Sequence, residues 1–206
     1  MSRSAVARPS LAAALLLLLA ACGSEPATGA TESPAGAAPA AQQATTLTLT
    51  SADVHDGGTI ALTHVYNASG CTGQDLSPAL AWSGAPAATR SFALTVHDPD
   101  APHPGGFWHW VAYDIPAATT SLPRGAGRAG AGGMPSGARQ GRNDFGDSAY
   151  DGPCPPPGAP HHYNFVLSAL DVSSLNLPAG AAPAQVSFAV ATHTLATAKL
   201  TGLYGR

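Results

Sequence analysis

Four polar residues stand at or near one end of segments that are otherwise largely apolar. They are Asp98, His109, His161 and Tyr163. Side chains alternate across a β-strand, so each of the four is predicted to share a face with apolar residues of its own segment. A polar group on such a face is costly unless it has a partner, and we expect the partners to be one another. His161 and Tyr163 would hold their side chains about 7 Å apart, a span that a small oxyanion could bridge.

The same alternation separates these residues from their neighbours. In the segment that carries His109, the residues predicted to share its face are Phe107, Val111 and Tyr113. The residues predicted to lie on the opposite face are Trp108, Trp110 and Ala112. By the same rule His97 and His162 point away from the face that carries the four polar residues.

Strand patterns dominate the chain from Thr46 onward. The segments with strand character are 46–50, 92–96, 108–115 and 163–170, each bounded by Gly, Pro or Asp clusters. The exception is a run free of Pro and Gly that Pro183 opens and that continues through Leu200, which predicts a C-terminal helix. Its candidate packing residues are Val186, Phe188, Val190 and Leu195. The sequence therefore predicts a mainly β domain with a helix near its C-terminus.

The first residues have the pattern of a bacterial lipoprotein signal. Arg3 and Arg8 precede an apolar run from Leu11 to Ala21, and small residues lead into Cys22. The alternative, a transmembrane helix, needs about 20 apolar residues and this run is about half that length. We expect a signal peptide over residues 1–21, acyl chains on Cys22 that anchor the protein to a membrane, and an extracytoplasmic location in the cell envelope, periplasmic or at the cell surface.

Composition divides the rest of the chain in two. Residues 22–45 are rich in Ala, Pro and Gly and are predicted to be a flexible tether, whereas residues 46–206 are long enough to form one domain. With Cys22 lipidated, an exported location allows Cys71 and Cys154 to form a disulfide, and two separate buried thiols are the alternative. The chain has 9 Lys+Arg against 12 Asp+Glu, without the clustered basic face of a nucleic-acid-binding protein.

Three other kinds of site have partial signals. His97, Asp98, Asp100, His103 and His109 lie close together, but alternation divides them between faces, so we expect no metal. A hydrolase using His109 and Asp98 as a general base is an alternative, although the chain has no Gly-x-Ser-x-Gly motif. Gly125, Gly127 and Gly130 fit the dinucleotide fingerprint, but prolines and further glycines flank them. We interpret this segment as a mobile loop and expect no cofactor.

Several motifs, in order along residues 46–206, resemble those of the phosphatidylethanolamine-binding-protein family, in particular its bacterial Raf-kinase-inhibitor-like branch. Asp98 to Pro102 resembles the Asp-Pro-Asp-Ala-Pro motif, and Trp108 to Trp110 resembles the histidine strand. Gly152 to Gly158 followed by His161 to Tyr163 is similar to the proline-rich loop that leads into His-x-Tyr. Further similar segments are 76–84, 141–146 and 203–206.

The resemblance implies a β-sandwich with a central antiparallel sheet, a few short helices and a small pocket. The pocket residues that it assigns are Asp98, His109, His161 and Tyr163, with Pro155 as a wall. Asp100 would be a second pocket carboxylate or a turn residue that accepts backbone N–H groups. The family pattern often has an arginine where this chain has His162, which affects the rim of the pocket.

The resemblance also implies non-catalytic binding of small anions: phosphate-like groups, phospholipid head groups or carboxylates. The alternative is an inhibitor or interaction module for an envelope protein such as a protease. We expect Asp98 to keep a histidine protonated, His109 and His161 to donate charge-assisted hydrogen bonds, and Tyr163 to add a neutral donor. Binding should then weaken as the pH rises through the imidazole pKa.

Overall fold

The structure is a computed structural model that describes residues 46–130 and 132–206. The predicted signal peptide, Cys22 and the tether lie outside these described residues. Within them, no helix has both the length and the apolar character needed to cross a membrane.

Nine strands and one α-helix form the described part of the chain. They are β1 (Thr48–Ser51), β2 (Gly58–Thr59), β3 (Leu80–Ser83), β4 (Ser91–Asp98), β5 (Phe107–Pro116), β6 (Ser121–Leu122), β7 (Arg139–Gln140), β8 (His161–Leu170), α1 (Pro183–His193) and β9 (Thr194–Tyr204). One short 3₁₀ turn, Leu62–His64, precedes β3. The four predicted strand segments are confirmed, with ends that differ by a few residues.

Two sheets face each other. The larger one has the order β2-β9-β8-β4-β5-β7, in which the pair of β2 and β9 is parallel and the other pairs are antiparallel. The smaller one has the order β1-β3-β6 and is antiparallel. Trp82 of the small sheet meets Phe92 of the large sheet edge to face, with ring centroids 5.5 Å apart. The predicted β-sandwich with a central antiparallel sheet is confirmed.

Helix α1 covers the outer face of the large sheet. It begins at Pro183, which suits the first helical position, and the Gln185 side chain accepts the backbone N–H of Ala182 at 3.1 Å. Val186 is buried against a second apolar cluster that contains Val111 and Tyr113. The C-terminal helix is confirmed, but two of its predicted packing residues are not buried, because Phe188 and Leu195 are exposed.

The helix is shorter than predicted. It ends at His193, and the rest of the predicted helical run forms β9, which pairs along its length with β8. Buried Ala198 and Leu200 alternate with exposed Thr197 and Lys199, a period of two that a helix cannot use. The absence of Pro and Gly would allow a helix in this run. Its period-two pattern and its threonines favour a strand instead.

A β-bulge on β5 changes which face its residues occupy. Val96 pairs with Trp110 and His97 pairs with Trp108, so His109 is the additional residue between the two pairs. Beyond the bulge, Trp110 lies in the main core while Val111 lies in the cluster under α1. The predicted grouping of His109 with Val111 and Tyr113 is therefore wrong, because a bulge inverts the alternation that the prediction assumed.

Candidate functional site

The site lies where three neighbouring strands of the large sheet have their ends. β4 ends at Asp98, β5 begins at Phe107, and β8, on the other side of β4, begins at His161. A cavity of about 260 Å³ opens there. Its lining consists of Asp98, Ala101, Pro102, His103, Phe107, His109, Phe145, Cys154, Pro155, Pro156, His161 and Tyr163. Five of the six residues predicted for the pocket are in this set, and Asp100 is not.

Asp98 and His161 form the charged pair of the cavity. The Asp98 carboxylate is almost fully buried, and its Oδ1 accepts backbone N–H groups from Asp100 at 2.8 Å and Ala101 at 3.1 Å. Its Oδ2 lies 2.7 Å from Nδ1 of His161. A carboxylate can only accept, so it holds the hydrogen of this imidazole on Nδ1 and leaves Nε2 unbonded. The histidine partner of Asp98 is therefore His161 and not His109, the pair that the hydrolase alternative required.

His109 is bonded differently. The residue is 3% exposed, and Nδ1 lies 2.8 Å from the backbone carbonyl of Asp151. A carbonyl only accepts, so Nδ1 carries the hydrogen. Burial lowers the pKa of His109 to about 4, although the carbonyl and the charge of Asp98 oppose this shift. Burial therefore favours the neutral ring in the ligand-free cavity, and the expectation that His109 donates a charge-assisted hydrogen bond to a bound anion stays a prediction.

Tyr163 supplies a hydroxyl to the cavity. The residue is fully buried, and its ring stands edge-on to His109 with centroids 5.1 Å apart. Burial and then the nearby charge of Asp98 raise the pKa of this hydroxyl, so it remains an O–H group. Among the residues that the structure describes, it has no hydrogen-bond partner of good geometry. An unpaired buried donor costs about 1–3 kcal/mol, which a ligand oxygen in the cavity could recover.

Asp100 lies outside the cavity. Its Oδ2 accepts the backbone N–H of His162 at 2.8 Å and lies 2.7 Å from Nδ1 of the same histidine. These contacts lower the pKa of Asp100, and both side chains are about half exposed. Two roles were considered for Asp100, and the prediction that it is a second carboxylate in the pocket is wrong. It instead fixes the turn after β4 to the start of β8.

The proline loop walls the cavity, and two links hold it. Cys154 is bonded to Cys71 in a disulfide. Arg206 connects the same two segments, because its Nε donates to the carbonyl of Pro155 at 2.6 Å and its Nη1 donates to the carbonyl of Gly70 at 3.1 Å. The C-terminal arginine therefore bridges the residues next to both cysteines.

A second layer of hydrogen bonds lies behind His109 and includes the Asp151 carboxyl. Asn143 donates to the Asp151 carboxyl at 2.6 Å and to the carbonyl of Ala149 at 3.1 Å. Burial raises the pKa of Asp151 to about 6, and the neighbouring Asp75 contributes to the rise. Sequence reasoning missed this layer, since Asn143 and Asp151 lie in segments with no periodic pattern.

Aromatic walls were also missed. Phe107 and Phe145 meet edge to face with centroids 4.8 Å apart, and each also lies against the His109 ring. Parity grouped Phe107 with His109 in the sequence analysis, although Phe107 was not named as a pocket residue. Phe145 comes from a loop in the segment 141–146, which resembles the family, but strand alternation does not point to it. The cavity is thus largely apolar, with its polar groups at a few points.

The residues considered for a metal site have other contacts. Across residues 46–130 and 132–206, no group of three or more His, Cys, Asp or Glu side chains is placed to hold a metal ion. His97 bonds to the carbonyl of Gly105 and His103 to that of Gly106, which ties both rings to the turn between β4 and β5.

Comparison with known proteins gives relatives over most of the described domain. Residues 50–205 match the family model described as phosphatidylethanolamine-binding protein. UPF0098 protein YbcL of Escherichia coli K12 is 43% identical over 163 residues, which is 79% of this chain and 89% of YbcL. UPF0098 protein YbhB of the same organism is 45% identical over 156 residues, which is 76% of this chain and 98% of YbhB.

A solved structure and a further relative agree with this assignment. The crystal structure of E. coli YbcL, described as a new member of the mammalian PEBP family, is similar with a TM-score of 0.76 and 42% identity, covering 78% of this chain and 98% of that one. The putative lipoprotein LppC of Mycobacterium tuberculosis H37Rv is 38% identical over 136 residues, covering 65% of this chain and 62% of LppC. Sequence motifs, sandwich and pocket agree, and the chain belongs to the phosphatidylethanolamine-binding-protein family.

Proposed function

We propose that the cavity binds a small anionic ligand without transforming it. Phosphate-like groups, phospholipid head groups and carboxylates are the ligand classes considered. The observation that carries the proposal is the buried hydroxyl of Tyr163, which makes no hydrogen bond of good geometry with any described residue and lies near Asp98 of the pair of Asp98 and His161. A bound oxygen would accept from this hydroxyl and from Nε2 of a protonated His161, and Asp98 would balance the imidazolium charge.

Binding without catalysis agrees with the lining of the cavity. The twelve lining residues include no serine, threonine or lysine, and the lining cysteine, Cys154, is held in a disulfide. Covalent catalysis through a serine, threonine, lysine or free cysteine is therefore not available in this lining. His161 with Asp98 could still act as a base on water, so hydrolysis of p-nitrophenyl phosphate is the test. Turnover that His161→Ala abolishes would contradict this part of the proposal.

The binding experiment is a calorimetric titration of inorganic phosphate, repeated on two tyrosine variants. Tyr163→Phe removes the unpaired hydroxyl and should weaken binding about tenfold, the usual worth of one hydrogen bond to an anion. Tyr113→Phe removes a buried hydroxyl under α1 that donates to the carbonyl of Pro178, and should leave binding unchanged. Neither heat nor shifts of the histidine ring signals at millimolar phosphate would contradict anion binding.

The proposal includes a place in the cell. The lipoprotein pattern that ends at Cys22 and the name of the relative LppC support a lipid-anchored protein of the cell envelope. Fractionation of cells expressing Cys22→Ser tests it, with Ser148→Ala, a change at an exposed residue that leaves all three cysteines in place, as a control. The first variant should leave the membrane fraction and the second should stay in it. A wild-type protein recovered in the soluble fraction would contradict the anchor.

A further inference from the structure

The disulfide beside the cavity is reached from it at one of its two cysteines. Cys154 is half-buried and belongs to the cavity lining, whereas Cys71 is 8% exposed and is not among the described lining residues. A thiolate attacks a disulfide only at a sulfur that it can reach. A thiolate that enters the cavity therefore meets the side chain of Cys154 first.

The chain before Cys154 is held independently of the disulfide. The backbone N–H of Gly152 donates to Oδ1 of Asp75 at 2.8 Å, and the backbone N–H of Tyr66 donates to the carbonyl of Pro153 at 3.1 Å. Both hydrogen bonds tie the proline loop to the segment that carries the other cysteine. Breaking the disulfide would therefore leave the two sulfurs close to each other.

The wall after Cys154 is connected through the last residue of the chain. Nε of Arg206 donates to the carbonyl of Pro155 at 2.6 Å, and the backbone N–H of Gly158 donates to the carbonyl of Arg206 at 3.0 Å. Pro156, which lies between them, has no backbone N–H to donate. Breaking the disulfide would therefore loosen this wall of the cavity, while the bonds to Arg206 keep it attached.

We propose that Cys154 is a thiol-exchange site in the wall of the cavity, that it reacts with a small dithiol, and that reduction at this site and a bound ligand exclude each other. The proposal rests on the anion binding proposed above and adds a means of regulating it. A ligand that fills the cavity covers the route to Cys154. A wall that reduction has loosened holds the ligand less tightly.

The reaction is a thiol–disulfide exchange in two steps. A thiolate of the dithiol bonds to Sγ of Cys154, the bond to Cys71 breaks, and Cys71 leaves as a thiolate that takes a proton from water. The second thiol of the dithiol then displaces Cys154, which takes the proton that this thiol loses. The dithiol is oxidised to a disulfide, and the protein gains two thiols.

The reduced cysteine has hydrogen-bond acceptors close to its present position. Sγ of Cys154 lies 3.8 Å from the carbonyl oxygen of Ala68 and 3.7 Å from that of Ser69. A thiol is a weak donor, so these carbonyls would hold the reduced side chain near Cys71. The disulfide can then form again without a rearrangement of the domain.

A trapping experiment on the unaltered protein tests where the exchange begins. The protein is exposed briefly to 2-mercaptoethanol, quenched with N-ethylmaleimide, digested and analysed by mass spectrometry. We expect the mercaptoethanol adduct on Cys154 and the maleimide on Cys71. The reverse pattern, or no reaction of the folded protein at millimolar thiol, would overturn the exchange site.

The rate of reduction by dithiothreitol tests whether a ligand excludes the reductant. Phosphate at about ten times its Kd should slow reduction about tenfold, because only the ligand-free protein reacts. Potassium chloride at the same ionic strength should leave the rate unchanged. Reduction at an unchanged rate with phosphate bound would overturn the exclusion, whereas no binding of phosphate in calorimetry would overturn the proposed function itself.

Two tyrosine variants show whether this protection comes from the cavity. Tyr163→Phe should bind phosphate about tenfold more weakly, so the same phosphate concentration should slow its reduction only about twofold. Tyr113→Phe, whose hydroxyl lies under α1, should keep the tenfold protection. Equal protection in both variants would place the effect of phosphate outside the cavity and overturn the exclusion.

Calorimetry on the reduced protein tests the reverse effect. Phosphate affinity should fall at least about fivefold, the lower end of the usual coupling between two sites, and oxidation should restore it. The double variant Cys71→Ser with Cys154→Ser should bind as weakly as the reduced protein in both conditions. Equal affinity of the oxidised and reduced forms would overturn the exclusion. Loss of the circular-dichroism spectrum of the fold on reduction would make the bond a structural one and overturn the regulation.

Discussion

Asp151 and His109 are joined twice: the backbone N–H of Asp151 donates to the carbonyl of His109 at 3.0 Å, and the His109 ring bonds to the carbonyl of Asp151 at 2.8 Å. Both links use the backbone of Asp151, so its carboxyl is not needed to orient the ring. That carboxyl is buried, and its pKa is raised to about 6. The group therefore affects stability in a way that can be separated from ligand binding.

Asp151→Asn should stabilise the protein above pH 6 and have little effect near pH 4. The raised pKa means that the folded protein holds a proton that the unfolded chain releases, so the carboxylate destabilises the fold as the pH rises from about 4 to about 6. The shift of about two units corresponds to about 3 kcal/mol at most. Denaturant unfolding at several pH values measures it, with the exposed Asp171→Asn as a control for charge. A difference between Asp151→Asn and wild type that does not depend on pH would contradict the assignment.

Tyr163→Phe should raise the stability of the ligand-free protein by about 1–2 kcal/mol, because it removes a buried donor that has no partner in the described residues. Tyr113→Phe should lower stability by a similar amount, since that hydroxyl donates to the carbonyl of Pro178 at 2.5 Å. Thermal or denaturant unfolding in phosphate-free buffer compares the two. Equal losses in both variants would mean that the Tyr163 hydroxyl is satisfied in solution.

The disulfide and Arg206 should act together on the proline loop. The cysteines are 83 residues apart, and a loop of that size makes the bond worth about 4 kcal/mol in the chain-entropy description. Arg206→Met keeps much of the side-chain bulk and removes both hydrogen bonds, at an expected cost of about 1–2 kcal/mol. In a double-mutant cycle with Cys71→Ser and Cys154→Ser, Arg206→Met should cost more stability when the disulfide is absent than when it is present. If the two changes in unfolding free energy simply add, the disulfide and Arg206 do not act together on the loop.

The pocket was predictable from the sequence where strands are regular. On β4 and β8 the alternation of side chains holds, so Asp98, His161 and Tyr163 come to one face as parity predicts. On β5 it fails beyond His109, because the bulge adds one residue and no residue type around position 109 signals it. The prediction placed His109 correctly with Phe107 and was wrong about Val111 and Tyr113.

The chemical roles were harder to predict than the positions. His109 and His161 have the same side chain and line the same cavity, yet one bonds to a carbonyl and the other to a carboxylate. Which partner each ring meets depends on segments that are distant along the chain, and Asp151 follows a loop without periodicity. Parity gives a face for each residue, whereas protonation depends on contacts that only the folded structure fixes.

Gly127 is closely packed, although it belongs to a segment that was expected to be a mobile loop. A Cβ there would lie 2.7 Å from Cβ of Tyr150 and 2.8 Å from the ring of Trp110, and its N–H donates to Ser77 Oγ at 2.9 Å. Gly127→Ala should therefore cost about 1–3 kcal/mol of stability, since those buried rings must move. Gly132→Ala is the matched control, because a Cβ at that position meets no atom within 4 Å. Unfolding measurements on both variants test this prediction. An equal loss of stability in the two would mean that the segment around Gly127 moves freely in solution and that the packing of Trp110 and Tyr150 does not depend on it.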